Sequence, residues 1–136
     1  MSELLNKANE YERLNKNKVD EQRPLFHLTG GVGWINDPNG FSFYKDEYHM
    51  FYQYYPFDTY FGPMFWGHAV SKDLLNWIHK GAVMAPDTFY DEKGCFSGTA
   101  IQIGNQHALF YTGVDGKNNQ QQVIAFGDGR TYSKYE

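Results

Sequence analysis

From Arg23 onward the sequence is written in short aromatic and β-branched runs, each cut off after a few residues by Gly, Asn, Asp or Pro, and no 3.6-residue apolar period runs through it. Runs of about four to eight such residues between turn formers make strands. Strands are expected over 40–44, 48–54, 65–71, 96–103, 108–112 and 121–126, with turns at Lys45-Asp46-Glu47, Gly104-Asn105 and Gly127-Asp128-Gly129. The gaps are short, so successive strands pair as hairpins. In the second strand Tyr48, Met50, Tyr52 and Tyr54 point one way and His49, Phe51 and Gln53 the other. Both sets are largely apolar, which predicts a strand covered on both faces. Antiparallel strands of that kind belong to stacked sheets, as in a sandwich or the blades of a propeller, and the pattern leaves both open.

Residues 2–16 have a different texture: Leu4, Ala8, Tyr11 and Leu14 recur at helical spacing, Ser2 stands where an N-cap belongs and Glu3 falls in the first turn. One short amphipathic helix is expected there, with a solvated charged outer face. The chain thus divides into 1–22, helix and linker, and 23–136, the β region. Charged residues interrupt every apolar stretch of 1–22. That pattern offers neither a signal-peptide core nor a membrane span, and with Met1 as the start it predicts a cytoplasmic protein.

Aromatics make up 18% of the residues, which suits strands, a ring-shaped ligand, or both. Net charge is −4 and the 12 basic residues are scattered, so no nucleic-acid footprint is read. Cys95 is the only cysteine and the five histidines lack zinc-site spacing, so neither a metal nor a cofactor is expected. With no histidine beside it in sequence, Cys95 reads as a small buried apolar residue. Asp73, Asp87, Asp91 and Glu92 sit among turn formers and read as solvated loop residues.

The segment Trp34-Ile35-Asn36-Asp37-Pro38-Asn39-Gly40 carries the most information. Asp-Pro-Asn-Gly fits a type I turn, with Asp at the first position, Pro at the second and Gly at the fourth. The turn has two readings: the Asp37 carboxylate accepts backbone N–H groups, or the turn presents it at the mouth of a pocket walled by Trp34. Arg23-Pro-Leu-Phe-His-Leu28, Trp34 to Gly40, Met50-Phe-Tyr-Gln53, Phe65-Trp-Gly-His-Ala-Val-Ser-Lys-Asp-Leu74 and Gly94-Cys-Phe-Ser-Gly98 follow in fixed order. Together they resemble the invertase and fructanase family, glycoside hydrolase family thirty-two, over 23–136.

The resemblance implies an all-β fold, the N-terminal part of a five-bladed β-propeller of four-stranded blades, of which this chain holds the first one to two and reads as truncated. It implies retaining cleavage of the β-fructofuranosyl bond of sucrose 6-phosphate or sucrose through a covalent fructosyl-enzyme. Asp37 matches the nucleophile. Trp34, Ile35, Asn36, Gln53, Phe96 and Ser97 match positions that line the substrate, with the amides suited to sugar hydroxyls because they both donate and accept. Trp66, Gly67 and His68 read as packing. Phe61 stands where the family usually has Trp, and Phe65 where it often has His, so leaving-group selectivity is open. The family's Arg-Asp-Pro and Glu-Cys segments, which bear its stabilising and acid/base carboxyls, have no counterpart here. The alternative is therefore a carbohydrate-binding propeller module without turnover, and the chain by itself is expected to be inactive.

Overall fold

A computed structural model describes residues 2–16 and 23–135. Helix α1 spans Glu3–Asn15; strands follow as β1 Trp34–Tyr44, β2 Glu47–Tyr55, β3 Phe65–Ser71, β4 Ile78–Met84, β5 Gly94–Ile103, β6 Gln106–Val114, β7 Gln120–Gly127 and β8 Tyr132–Lys134. They form two four-stranded sheets, β1-β2-β3-β4 and β5-β6-β7-β8, each antiparallel and in sequence order. The expected hairpins close tightly. Tyr44 pairs with Glu47 across Lys45 and Asp46, both at positive φ (50° and 59°), the pair that a two-residue type I′ turn requires.

Three features depart from the sequence expectation. Strands β4 and β8 were not foreseen: β4 carries a glycine at φ 85° in its middle, and β8 is three residues long. The third departure matters most for the site. Asp37-Pro38-Asn39-Gly40 is not a turn; β1 begins at Trp34 and runs through it, with register shifts between Ile35 and Pro38 and between Asn39 and Ser42. Proline is tolerated because β1 is an edge strand, paired only with β2, and the bulges take up the misfit.

The β1–β4 sheet is covered on both faces, as the alternation in β2 predicts. On one side Phe51, Trp66, Val83 and Met84 meet Cys95, Leu109, Tyr111 and Ala125 of the other sheet. On the other, Tyr52, Tyr54, Phe65, Ala69 and Ala82 meet Leu5 and Ala8 of α1. Ser2 caps α1 as expected, its side chain accepting from the Leu5 amide. The buried stripe is Leu5, Ala8 and Glu12, however, while Leu14 is 61% exposed and Tyr11 is also turned outward. Specific hydrogen bonds set that rotation. The Asn9 side chain donates to the Ala82 carbonyl at 3.0 Å and accepts from its N–H at 2.8 Å, so one amide satisfies the free edge of β4. Glu12 accepts from Tyr54 at 2.7 Å and lies 2.9 Å from His79 Nε2. A glutamate that reads as outer face is therefore inside.

Candidate active site

The first strands of the two sheets, β1 and β5, lie side by side, and each is bulged where the sequence places its site residues. In β1 the shift between Ile35 and Pro38 leaves Asn36 and Asp37 outside the ladder; in β5 the shift between Phe96 and Gly98 leaves out Ser97. A bulge re-aims the side chains it releases. Here it aims two at each other: Ser97 Oγ donates to Asp37 Oδ2 at 2.8 Å, and the carboxylate stays exposed.

The other expected site residues fall around this pair with differing freedom. Trp34 Nε1 donates to Asn36 Oδ1 at 2.8 Å, which fixes the Asn36 amide and turns its N–H₂ end into the donor left to bind with. Ile35 is 36% exposed beside them. Phe96 is half-buried, its ring edge-on to Phe61 at 6.1 Å, while its carbonyl accepts from Trp66 Nε1 at 3.1 Å. Phe61 is 54% exposed, so this chain offers a bare aromatic rim. Gln53 is the outlier. It is buried, and its Nε2 donates to the Cys95 carbonyl at 2.9 Å, which ties β2 to the start of β5 behind the Asp37–Ser97 pair.

Beneath that floor lies a polar cluster that the sequence concealed. Asp91, read as a solvated loop residue, is fully buried. Its carboxylate accepts from Lys134 at 2.6 Å, from the Tyr111 hydroxyl at 2.7 Å and from the Thr88 hydroxyl at 2.7 Å. Burial pushes the Asp91 pKa up, but the hydrogen bonds from Lys134 and Tyr111 outweigh it and hold the group ionised. The loop texture around Asp91 hid its true partner, because Lys134 is 43 residues away. Cys95 is buried against the same carboxylate, and burial raises its thiol pKa well above the ordinary value, so it packs as a protonated apolar residue. Trp66, Gly67 and His68 are buried as packing residues. Among the described residues no group of three His, Cys, Asp or Glu is placed to hold a metal ion. A hollow of about 670 Å³ lies between the 87–90 loop and β7, and Asp37 does not line it.

Two consecutive four-stranded antiparallel sheets with adjoining first strands are the arrangement of successive blades of a β-propeller. Residues 27–136 match the N-terminal domain of glycosyl hydrolases family 32, and the chain belongs to that family. It is 52% identical over 93 residues to a sucrose-6-phosphate hydrolase of Zymomonas mobilis, covering 68% of this chain and 18% of that protein. A raffinose invertase of Escherichia coli is 44% identical over 75% of this chain and 21% of its own length. A family 32 β-fructofuranosidase of Bombyx mori, solved in complex with sucrose, superposes with a TM-score of 0.87 at 40% identity, covering 97% of this chain and 29% of that one. The chain thus spans about a fifth of the length of these curated relatives and under a third of that structure.

Proposed function

We propose that these two blades serve a longer retaining β-fructofuranosidase, in which Asp37 attacks the anomeric carbon of the fructosyl unit of sucrose 6-phosphate or sucrose. The observation that carries the reading is the Asp37–Ser97 contact at 2.8 Å. A carboxylate at the joint of two blades is exposed enough to meet a sugar, yet held by a hydroxyl so that its free oxygen has one direction. Retaining chemistry needs a second carboxyl group roughly 5 to 5.5 Å away, which protonates the leaving glucosyl oxygen and then activates water. That group belongs to the rest of the propeller in this reading. Asn36 and the Trp34–Ile35 wall bind the fructosyl ring, and Phe96 with Phe61 forms an apolar rim. Gln53 contributes by holding β5 in place.

The phosphorylated substrate is favoured because the Zymomonas mobilis relative is named for it. The test is the Asp37→Asn substitution in the full-length enzyme. Turnover should fall by roughly 10³-fold or more while binding of sucrose persists, because the amide keeps the shape but cannot form the covalent intermediate. Undiminished turnover would end the reading. A comparison of kcat/KM on sucrose and sucrose 6-phosphate decides the substrate, and the 136-residue chain alone should show no hydrolysis above buffer.

A further inference from the structure

We propose that Asn39 is a positioning residue for the Asp37 carboxylate, the amide that locks the bulge of β1 to the bulge of β5; the proposal rests on Asp37 being the nucleophile. Asn39 sits two residues beyond Asp37, between the two register shifts of β1, where it is back in the ladder opposite Phe51. Its side chain points away from solvent, with only 3% of the residue exposed, and Oδ1 accepts from the Gly98 N–H at 3.3 Å. Gly98 follows Ser97 directly. The Asn39–Gly98 and Asp37–Ser97 contacts are therefore neighbouring rungs between strands that belong to different sheets.

The backbone around these rungs has no slack. At Gly40, with φ 52°, an added β-carbon would stand 2.9 Å from the Phe51 ring and 3.1 Å from the Ala100 β-carbon. At Gly98 it would stand 1.9 Å from the Phe110 carbonyl oxygen. The Gly40–Ala100 contact limits how closely β1 and β5 approach, while the Gly98–Phe110 contact holds β5 against β6 of its own sheet. Apolar contact is non-directional and does not fix how far one strand slides along the other. A hydrogen bond does. Asn39 Nδ2 is buried without a partner, and a buried amide left partly unsatisfied is unfavourable compared with an apolar group of its shape. The rung it makes, not its burial, accounts for an amide at this position.

The consequence falls on the reacting atoms. A displacement of about 1 Å at a reacting group costs on the order of 10²-fold in rate. In the full-length enzyme Asn39→Ala should lower kcat for sucrose by about 10- to 100-fold and change KM by no more than a few-fold. Asn39→Asp keeps the acceptor for Gly98 but adds a second negative charge near Asp37. It should recover much of kcat on the alkaline side and move the acid limb of the kcat/KM profile to higher pH by about one unit, because like charges oppose ionisation. A purely structural Asn39 would give a different result. Both variants would then lose folded protein by circular dichroism, while the folded fraction kept wild-type kcat and an unmoved pH profile, and that would overturn the proposal. Asp37→Asn is measured beside them. If it remains active, the nucleophile reading fails and this inference falls with it; if it is dead while Asn39→Ala is fully active, only the inference fails.

Discussion

Between the two sheets lie three buried histidines, His49 and His68 of the first and His107 of the second, with no carboxylate among the described residues hydrogen-bonded to them; on the other face of the β1–β4 sheet, one histidine meets α1 through a buried glutamate. In the inter-sheet seam His49 Nδ1 lies 2.9 Å from His68 Nε2, and His49 Nε2 lies 3.1 Å from the Tyr44 carbonyl oxygen. His107 bridges Ser42 at 2.9 Å and the Tyr132 hydroxyl at 2.7 Å. The nearby Glu47 is engaged by Arg130 across the same sheets. In the helix seam Glu12 binds His79 and Tyr54, and the Tyr52 hydroxyl completes the chain at 2.5 Å from His79 Nδ1. One seam needs its histidines neutral; the other is built around a charge.

The two seams therefore respond to acid at different points. Burial lowers the pKa of all three inter-sheet histidines, to about 4 for His107 and to about 2 for His68. An unfolded chain binds those protons near pH 6.5. Their contribution is complete above that value and is lost as pH falls toward 4. For Glu12, burial raises the pKa, but the hydrogen bond and charge of His79, with the Tyr54 hydrogen bond and the Arg23 charge, outweigh it. Its contribution is complete above its unfolded pKa near 4.5 and is lost only as pH falls through the lower folded value. Acid should open the joint between the sheets before it releases the helix.

The largest test of this contrast is mechanical. Phe51 is fully buried between the sheets, and Phe51→Ala should cost about 3–5 kcal/mol in urea unfolding. Leu5→Ala, under the helix, should sit near the low end of its range, about 2 kcal/mol. Equal costs would mean that the seams are not separable. Next comes the acid step. A shift from 6.5 to about 4 at His107 corresponds to on the order of 3 kcal/mol at about 1.4 kcal/mol per unit. Unfolding midpoints should drop steeply between pH 7 and 4.5, and His107→Gln, which stays neutral, should flatten that drop. An unchanged slope in the variant would remove His107 from the account.

How much of this could be read beforehand follows the same division. The covered faces of β2 were legible because strand alternation is local, and so was the ordered set of segments that bears Asp37. The Asp37 carboxylate is exposed beside Ser97, but the local rule named the wrong backbone: Asp-Pro-Asn-Gly satisfies turn preferences, and only pairing with β2 turns it into a bulged strand. Asn39, Asp91 and Glu12 were missed for one reason. Each is a polar residue whose partner, Gly98, Lys134 or His79, lies more than 40 residues away, and a sequence window sees its charge or amide but not the group that satisfies it. The histidine seam was illegible for the same reason: spacing in sequence hid that β2, β3 and β6 bring His49, His68 and His107 together.

Glu12→Gln is the third test and a smaller one. It keeps the shape and leaves His79 and the two tyrosines facing a neutral amide, for an expected loss of about 1–3 kcal/mol. Hydrogen exchange should quicken in α1 and leave β6 unchanged, and the helix should lose its own acid response below pH 4.5. Faster exchange in β6 would mean that the glutamate supports both seams.

The smallest effect is the most exacting. The Ser2 side chain accepts from the Leu5 amide at 3.2 Å, from an extended conformation with φ −70° and ψ 161°, so it satisfies one of the orphan N–H groups of the first turn. Ser2→Ala should cost about 1 kcal/mol. That cap is tied to the helix seam through Leu5, which is buried against the sheet. If the seams are separate units, the loss appears as faster exchange in the first turns of α1 while the amides of β3 and β6 exchange as before. If a missing serine hydroxyl at the far end of the helix loosened β6 as much as α1, the sheet would transmit strain from one face to the other. The contrast between a neutral seam and a charged one would then describe two ends of a single cooperative core.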